Sequence, residues 1–198
     1  MRLRLLYAIL ICSLYSCTHE EVTRRSNFPL KPGNYWIYKT TITSSDGAVS
    51  VFPYLDSVWI EKDTIIDNKH YWEQIGTLRG TIFLRDSSDC VLMKELTYEQ
   101  IIFSSNLDTL AKNPPFYKLM TSLSETVETP AGKFKAANCR MLLRKDPANT
   151  GHDDEYPAFN SEFYTTEQYI CSSRVGLIKY VYYYLGSTIE YELVRYSI

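Results

Sequence analysis

Catalytic signatures are missing from this chain of 198 residues. It has no G-x-S-x-G nucleophile turn, no glycine loop of the kind that cradles phosphate, and no dinucleotide fingerprint. Seryl hydrolysis and nucleotide chemistry thereby lose their usual signposts. Histidine is scarce: His19, His70 and His152 are the only three, and they are scattered. No two cysteines stand in a C-x-x-C arrangement either, so the pattern of a zinc site is absent and the residues call for no metal and no cofactor. Cationic clusters are missing as well. The 21 basic and 23 acidic side chains are well mixed and give a formal net charge of -2, which sets nucleic acid aside because neutralising many phosphates takes grouped Lys and Arg. There is no internal repeat, and residues 34–111 offer no helical stripe.

The N-terminus is what the chain does have. Arg2 and Arg4 form a short basic region ahead of the apolar run Leu5 to Leu14, a length suited to a signal peptide and too short for a standing membrane span. The following Leu14-Tyr15-Ser16-Cys17 resembles a bacterial lipobox, which implies lipid modification (a palmitate-type acyl anchor) at Cys17 and cleavage just before it. The expected organisation is a signal peptide over 1–16, a lipidated N-terminus and flexible tether over 17–31, and a single β-rich domain over 32–198. Pro32-Gly33 marks the start of order. The implied location is the bacterial cell envelope, as an outer-membrane lipoprotein facing the periplasm or the surface. His19-Glu20-Glu21 resembles the acidic patch that directs some lipoproteins outward, and it reads equally as a solvated linker.

After Gly33 the chain becomes short apolar-aromatic segments divided by turns. Tyr35-Trp36-Ile37-Tyr38 opens the first, with Asp46-Gly47 behind it. Val58, Ile60, Lys62, Thr64 and Ile66 alternate with their neighbours as a strand does, and Asp67-Asn68 joins this stretch to His70–Ile75 as a hairpin. Further strands are expected at 81–85, 90–96, 99–104 and 107–111. Adjacent prolines in 112–122 predict an interruption with room for a minor helical turn. Regular alternation resumes at 125–129, turns at Pro130-Ala131-Gly132, and returns over 133–145 with Ala137, Cys139, Met141 and Leu143 on one face. A polar loop spans 146–160. Strands at about 161–172, 176–185 and 188–197 close the chain. The fold expected is all-β, a strongly curved antiparallel sheet or incomplete barrel of ten to twelve strands.

Three segments carry a resemblance: Pro29–Tyr38 with Trp36 and Tyr38 near its end, Val127-Glu128-Thr129-Pro130-Ala131-Gly132-Lys133-Phe134, and Val175-Gly176-Leu177-Ile178-Lys179. In this order they resemble a group of uncharacterised envelope lipoproteins of Bacteroidetes-type bacteria, distantly similar to half-barrel lipoprotein carriers. The resemblance implies a curved antiparallel sheet. It implies no reaction, and no catalytic residue is carried across.

Three cysteines, Cys90, Cys139 and Cys171, remain after the leader and the lipid site, enough for one bridge. Cys139 and Cys171 flank the polar loop on neighbouring strands and are the expected pair. Asp153, Asp154 and Glu155 are the candidate acid-base carboxylates and, with Asp146, candidate calcium ligands; the polar, Gly151-containing setting reads instead as a solvated loop. His70, in a strand beside Tyr71 and Trp72, reads as a face residue.

Tyrosine is abundant: 17 residues, with eight Phe and three Trp. Tyrosine rings give large contact area and keep a polar handle. Tyr180, Tyr182, Tyr184 and Tyr191 form one candidate binding group, and Trp36, Trp59 and Trp72 a second that would line the other part of a concavity. The leading expectation is therefore an envelope lipoprotein that binds an apolar ligand or an envelope partner (a lipid, a glycan or a protein) without catalysis. A structural or adhesive surface lipoprotein is the second class. A hydrolase of an envelope substrate is the third, and enzyme activity is disfavoured by the missing motifs.

Overall fold

The computed structural model describes residues 28–198 apart from 79, 88, 107–108, 114–115, 144–162, 172–174 and 185. The leader, Cys17, most of the tether and the polar loop with Asp146, Asp153, Asp154 and Glu155 lie outside the described residues. Twelve strands follow in chain order: β1 Tyr35–Thr43, β2 Val49–Ile66, β3 Lys69–Gly76, β4 Ile82–Ser87, β5 Cys90–Lys94 and β6 Glu99–Ser104, then β7 Thr109–Asn113, β8 Phe116–Thr129, β9 Gly132–Leu143, β10 Phe163–Cys171, β11 Gly176–Tyr184 and β12 Ser187–Ser197. No helix occurs among the described residues. The helical turn allowed for 112–122 is absent there, because β7 and β8 run right up to the two prolines as a strand pair.

All twelve strands belong to one antiparallel sheet in the order β6-β5-β4-β3-β2-β1-β12-β11-β10-β9-β8-β7. This is chain order taken round a ring, with the first strand paired to the last. β6 and β7 are consecutive in the chain and form the two edges. Their Cα atoms come within 8 Å of each other, so the sheet curls into a half-barrel that nearly closes. Bulges at Ile37/Tyr38, Lys39/Thr41, Ile60/Lys62 and Val91/Leu92 supply bending, since an extra residue on one strand increases local twist. The curl also brings the β8–β9 turn onto β12, where the Ala131 amide donates to the Leu193 carbonyl at 2.9 Å.

Alternation decides which face is inside. On β1 the residues Trp36, Tyr38 and Thr40 are buried while Tyr35, Ile37 and Lys39 are only half-covered. The inner face continues through Ile60, Leu84, Ile178 and Leu193, each at most 1% exposed. Order begins ahead of the Pro32 boundary expected from sequence. Phe28 and Leu30 are buried in the same core, and Asn34 Nδ2 holds the Pro29 carbonyl at 2.8 Å. Residues 28–30 therefore pack as a plug against one end of the half-barrel, with Lys31 exposed beyond them.

The register excludes the expected Cys139–Cys171 bridge. On β9 and β10, Cys139 stands opposite Gln168 and Cys171 opposite Ala136. Three positions along a strand amount to roughly 10 Å, and a disulfide needs Cα atoms within about 7 Å. Cys139 is a buried thiol and Cys90 a half-buried one.

Candidate ligand-binding face

The inner face divides into a filled end and an open end. At the filled end Trp36 is 1% exposed, donates its Nε1 hydrogen to the Val175 carbonyl at 2.5 Å and meets the Phe28 ring at 6.5 Å. Tyr38 Oη donates to the Leu177 carbonyl at 2.8 Å. Both donors are satisfied within the fold, as buried ring groups require. A cleft lies against them, lined by Phe28, Tyr38, Gln74, Leu78, Ile82 and Ile102 among others. It measures about 450 Å³ counting its open mouth, and about 20 Å³ of that admits the centre of a water molecule. That is space for one or two waters, too little for an acyl chain.

The open end carries the tyrosines. Tyr180 and Tyr191 face each other across the β11–β12 ladder with ring centroids 5.9 Å apart. Tyr182 and Tyr184 lie two residues apart on β11 and therefore on one face, their rings 6.1 Å apart and nearly parallel at 14°. The register extends this row sideways: Thr40 stands opposite Tyr191 on β1, and Gln168 stands opposite Tyr180 on β10. The Thr40 hydroxyl donates to Asp56 Oδ2. The Tyr191 phenol is held above its ordinary pKa, first by burial, then by the nearby Asp56 charge and Tyr180. Its hydroxyl accordingly stays protonated as a donor at neutral pH.

The four tyrosines expected as one group are thus brought together on the inner face, and Tyr184, 56% exposed, sits outermost. The tryptophans are not. Trp36 belongs to the filled core, and Trp72 is a partly buried flank of that core with its ring edge-on to His70 at 4.8 Å. Trp59 lies on the outer face, between inward-facing Val58 and Ile60, and donates Nε1–H to Glu61 Oε2 at 2.7 Å. The strand parity thus splits the expected tryptophan group, with Trp36 in the core, Trp72 at its flank and Trp59 on the opposite face. His70 is half-exposed and pairs with Asp63 at 2.9 Å.

Titratable groups cluster on the outer face as well. Glu99 on β6 accepts from Arg85 Nη2 at 2.8 Å and from Arg85 Nε, from Lys69 Nζ at 2.7 Å and from Tyr71 Oη at 2.5 Å. These donors, Arg85 foremost, hold its carboxyl far below the usual carboxylate range. A carboxylate whose lone pairs are all engaged is a poor base, so the cluster ties β3, β4 and β6 together and does not form an acid-base centre. A second outer group pairs Lys39 with Glu192 at 3.3 Å and Lys179 with Glu190 at 2.9 Å. Sequence reasoning missed both groups, because their members come from strands far apart in the chain and only the register makes them neighbours.

The chain is a nearly closed antiparallel half-barrel with a tyrosine row at the open end of its inner face. Two solved structures are similar to it. One is a candidate exported protein with YmcC-like fold from Bacteroides fragilis, at 11% identity and a TM-score of 0.49. The other is a candidate lipoprotein from Parabacteroides distasonis, at 14% identity and a TM-score of 0.48. Each match covers 86% of this chain and 98% of the other. No protein-family model and no curated protein matches the chain.

Proposed function

We propose that this protein is a lipid-anchored component of a bacterial cell envelope that binds an apolar or amphipathic molecule on the open end of its half-barrel, without covalent chemistry. The observation that carries this reading is the convergence of Tyr180, Tyr182, Tyr184 and Tyr191 on one inner face next to a filled core. Closely spaced tyrosine rings offer apolar area to a chain or a sugar face, and a phenol hydroxyl can hydrogen-bond a polar end. The N-terminal basic region, apolar run and Cys17 support attachment to the membrane. Native mass spectrometry of the mature protein, purified gently from its own envelope and followed by solvent extraction, tests the proposal. A bound apolar or amphipathic molecule at one-to-one stoichiometry is the expected result, and its occupancy should fall about tenfold or more in Tyr180→Ala/Tyr191→Ala, as truncation of a central aromatic contact does. A folded protein that repeatedly emerges empty would sink it.

A further inference from the structure

The first half of β2 is unlike the rest of the sheet. Among the described residues, Val49–Asp56 has a ladder on one side only, to β1, because β3 joins β2 only from Val58 onward. Its side chains are nonetheless apolar on both faces: Val49, Val51, Phe52, Tyr54 and Leu55 are all exposed, Tyr54 at 79%. Lys39 pairs with Leu55 and Thr41 with Val51, so Phe52-Pro53-Tyr54 bulges out opposite the single residue Thr40. The neighbouring ends share one character. Val49–Leu55 and Tyr180–Ile189 contain no charged residue, and the β1–β2 turn between Thr43 and Val49 contributes one, Asp46, whose carboxylate accepts the Ala48 amide at 3.0 Å. Four adjacent strands, β2, β1, β12 and β11, thus end in a rim that is apolar apart from this turn, with Tyr184 at its edge.

Strand addition is a poor use of this rim, since Pro53 has no amide hydrogen to donate and the bulge breaks the edge in its middle. Insertion of side chains into an apolar phase needs no backbone pairing. Phe and Tyr beside aliphatic residues, without charges between them, match the composition of a membrane-water interface. We propose that the rim formed by Val49–Leu55 is a bilayer-docking surface, which sets the open end of the tyrosine-lined face against the membrane. The proposal rests on the anchored reading of Cys17 and deepens it.

Chain length permits this orientation. The tether enters beside Trp36 through Phe28, and the rim lies at the far end of β1, eight steps on from Tyr35, roughly 27 Å away. Eleven steps separate Cys17 from Phe28, which extend to about 36 Å. A lipid on Cys17 therefore reaches the level of the rim. The opposite end of the sheet also exposes apolar residues, Ile65, Leu96 and Tyr98, but they stand among the ion pairs Asp63–His70, Asp67–Lys94 and Lys69–Glu99. Burying those charges against lipid is unfavourable.

The experiment uses the mature lipoprotein reconstituted in phosphatidylcholine vesicles whose acyl chains carry a photoactivatable diazirine, with adducts mapped by mass spectrometry. Adducts on the peptide covering 49–55 are expected. They should fall about tenfold or more in Phe52→Asp/Tyr54→Asp, the loss that goes with forfeiting burial of an aromatic side chain. Tyr54→Asp alone, at the most exposed position, reads the same loss if the double variant is less stable. Adducts confined to residues 17–27, or placed on 62–70 or 94–99, overturn the docking. The mass of the N-terminal peptide separates the two ideas: an unmodified Cys17 refutes the anchor, while an acylated Cys17 with no adduct at 49–55 refutes the docking alone.

Discussion

Glu99 accepts hydrogen bonds from three side chains, Arg85, Lys69 and Tyr71, and its protonation should therefore be visible in stability. Its folded pKa is depressed, chiefly by Arg85 and further by Lys69 and Tyr71, whereas an unfolded glutamate titrates near about 4.3. A depressed carboxylate stabilises the fold fully above the unfolded value and loses that contribution as pH falls toward the folded one. Glu99→Gln should cost about 1–2 kcal/mol at pH 7, the range for losing charge-assisted bonds at a mostly covered site. The gap between variant and native protein should narrow from about pH 5 downward. Urea unfolding at pH 7 and at pH 3 measures both, and a gap that stays constant or widens in acid would contradict the assignment. Parity was the more legible property of single residues. Alternation of Val58, Trp59 and Ile60 already places Trp59 away from the apolar face, and counting tryptophans as one wall overrode that signal. The Glu99 network could not have been read, because nothing local in Lys69, Arg85 or Glu99 marks them as neighbours.

At the scale of elements, turn chemistry was the most reliable guide. Asp67 and Asn68 have φ of 51° and 60°, the paired positive values of a two-residue hairpin whose twist matches its strands. Gly176 opens β11 at φ 88°, and a Cβ there would stand 3.3 Å from Pro29 Cδ and 3.5 Å from the Trp36 ring. Gly176→Ala should therefore destabilise by about 1–3 kcal/mol, combining a left-handed backbone penalty with pressure on the plug. Asn68→Gly should be neutral or slightly stabilising. Thermal unfolding of the two variants side by side is the check, and an unchanged midpoint for Gly176→Ala would show that residues 28–30 do not pack as described. What turn residues could not supply was register. The Cys139–Cys171 pairing failed through a three-position offset in the β9–β10 register, which the bulge between Tyr164 and Thr166 narrows by one position without closing it. Pro53 inside a long apolar stretch was a readable sign of the β2 bulge, yet the width of that bulge depends on how β1 and β2 are paired.

For the whole molecule, the pairing of first strand to last was the feature least accessible from sequence, and it organises the stability of everything else. β1 through β6 form one run of hairpins and β7 through β12 another, and the ladder from β1 to β12 joins them. Leu193 lies on that seam at 0% exposure, opposite Tyr38, and its carbonyl accepts the Ala131 amide. Truncating it removes packing shared by both runs. Leu193→Ala should cost about 2–5 kcal/mol, as other Leu-to-Ala changes in filled cores do. The three tryptophans all fall in the first run, on β1, β2 and β3, so their fluorescence reports that run while far-UV circular dichroism reports the whole sheet. If the seam makes the sheet one cooperative unit, the two signals should share a midpoint in denaturant for the native protein. In Leu193→Ala they should move down together, because neither run covers its inner face without the other. Fluorescence and dichroism separating in the native protein would mean that each run is stable alone, and the half-barrel would then be two sheets meeting at β1 and β12. Coincident transitions that fall together in the variant would instead establish that the tyrosine row on β11 and β12 is held in place by the tryptophan core of β1, across the seam between the chain's two ends.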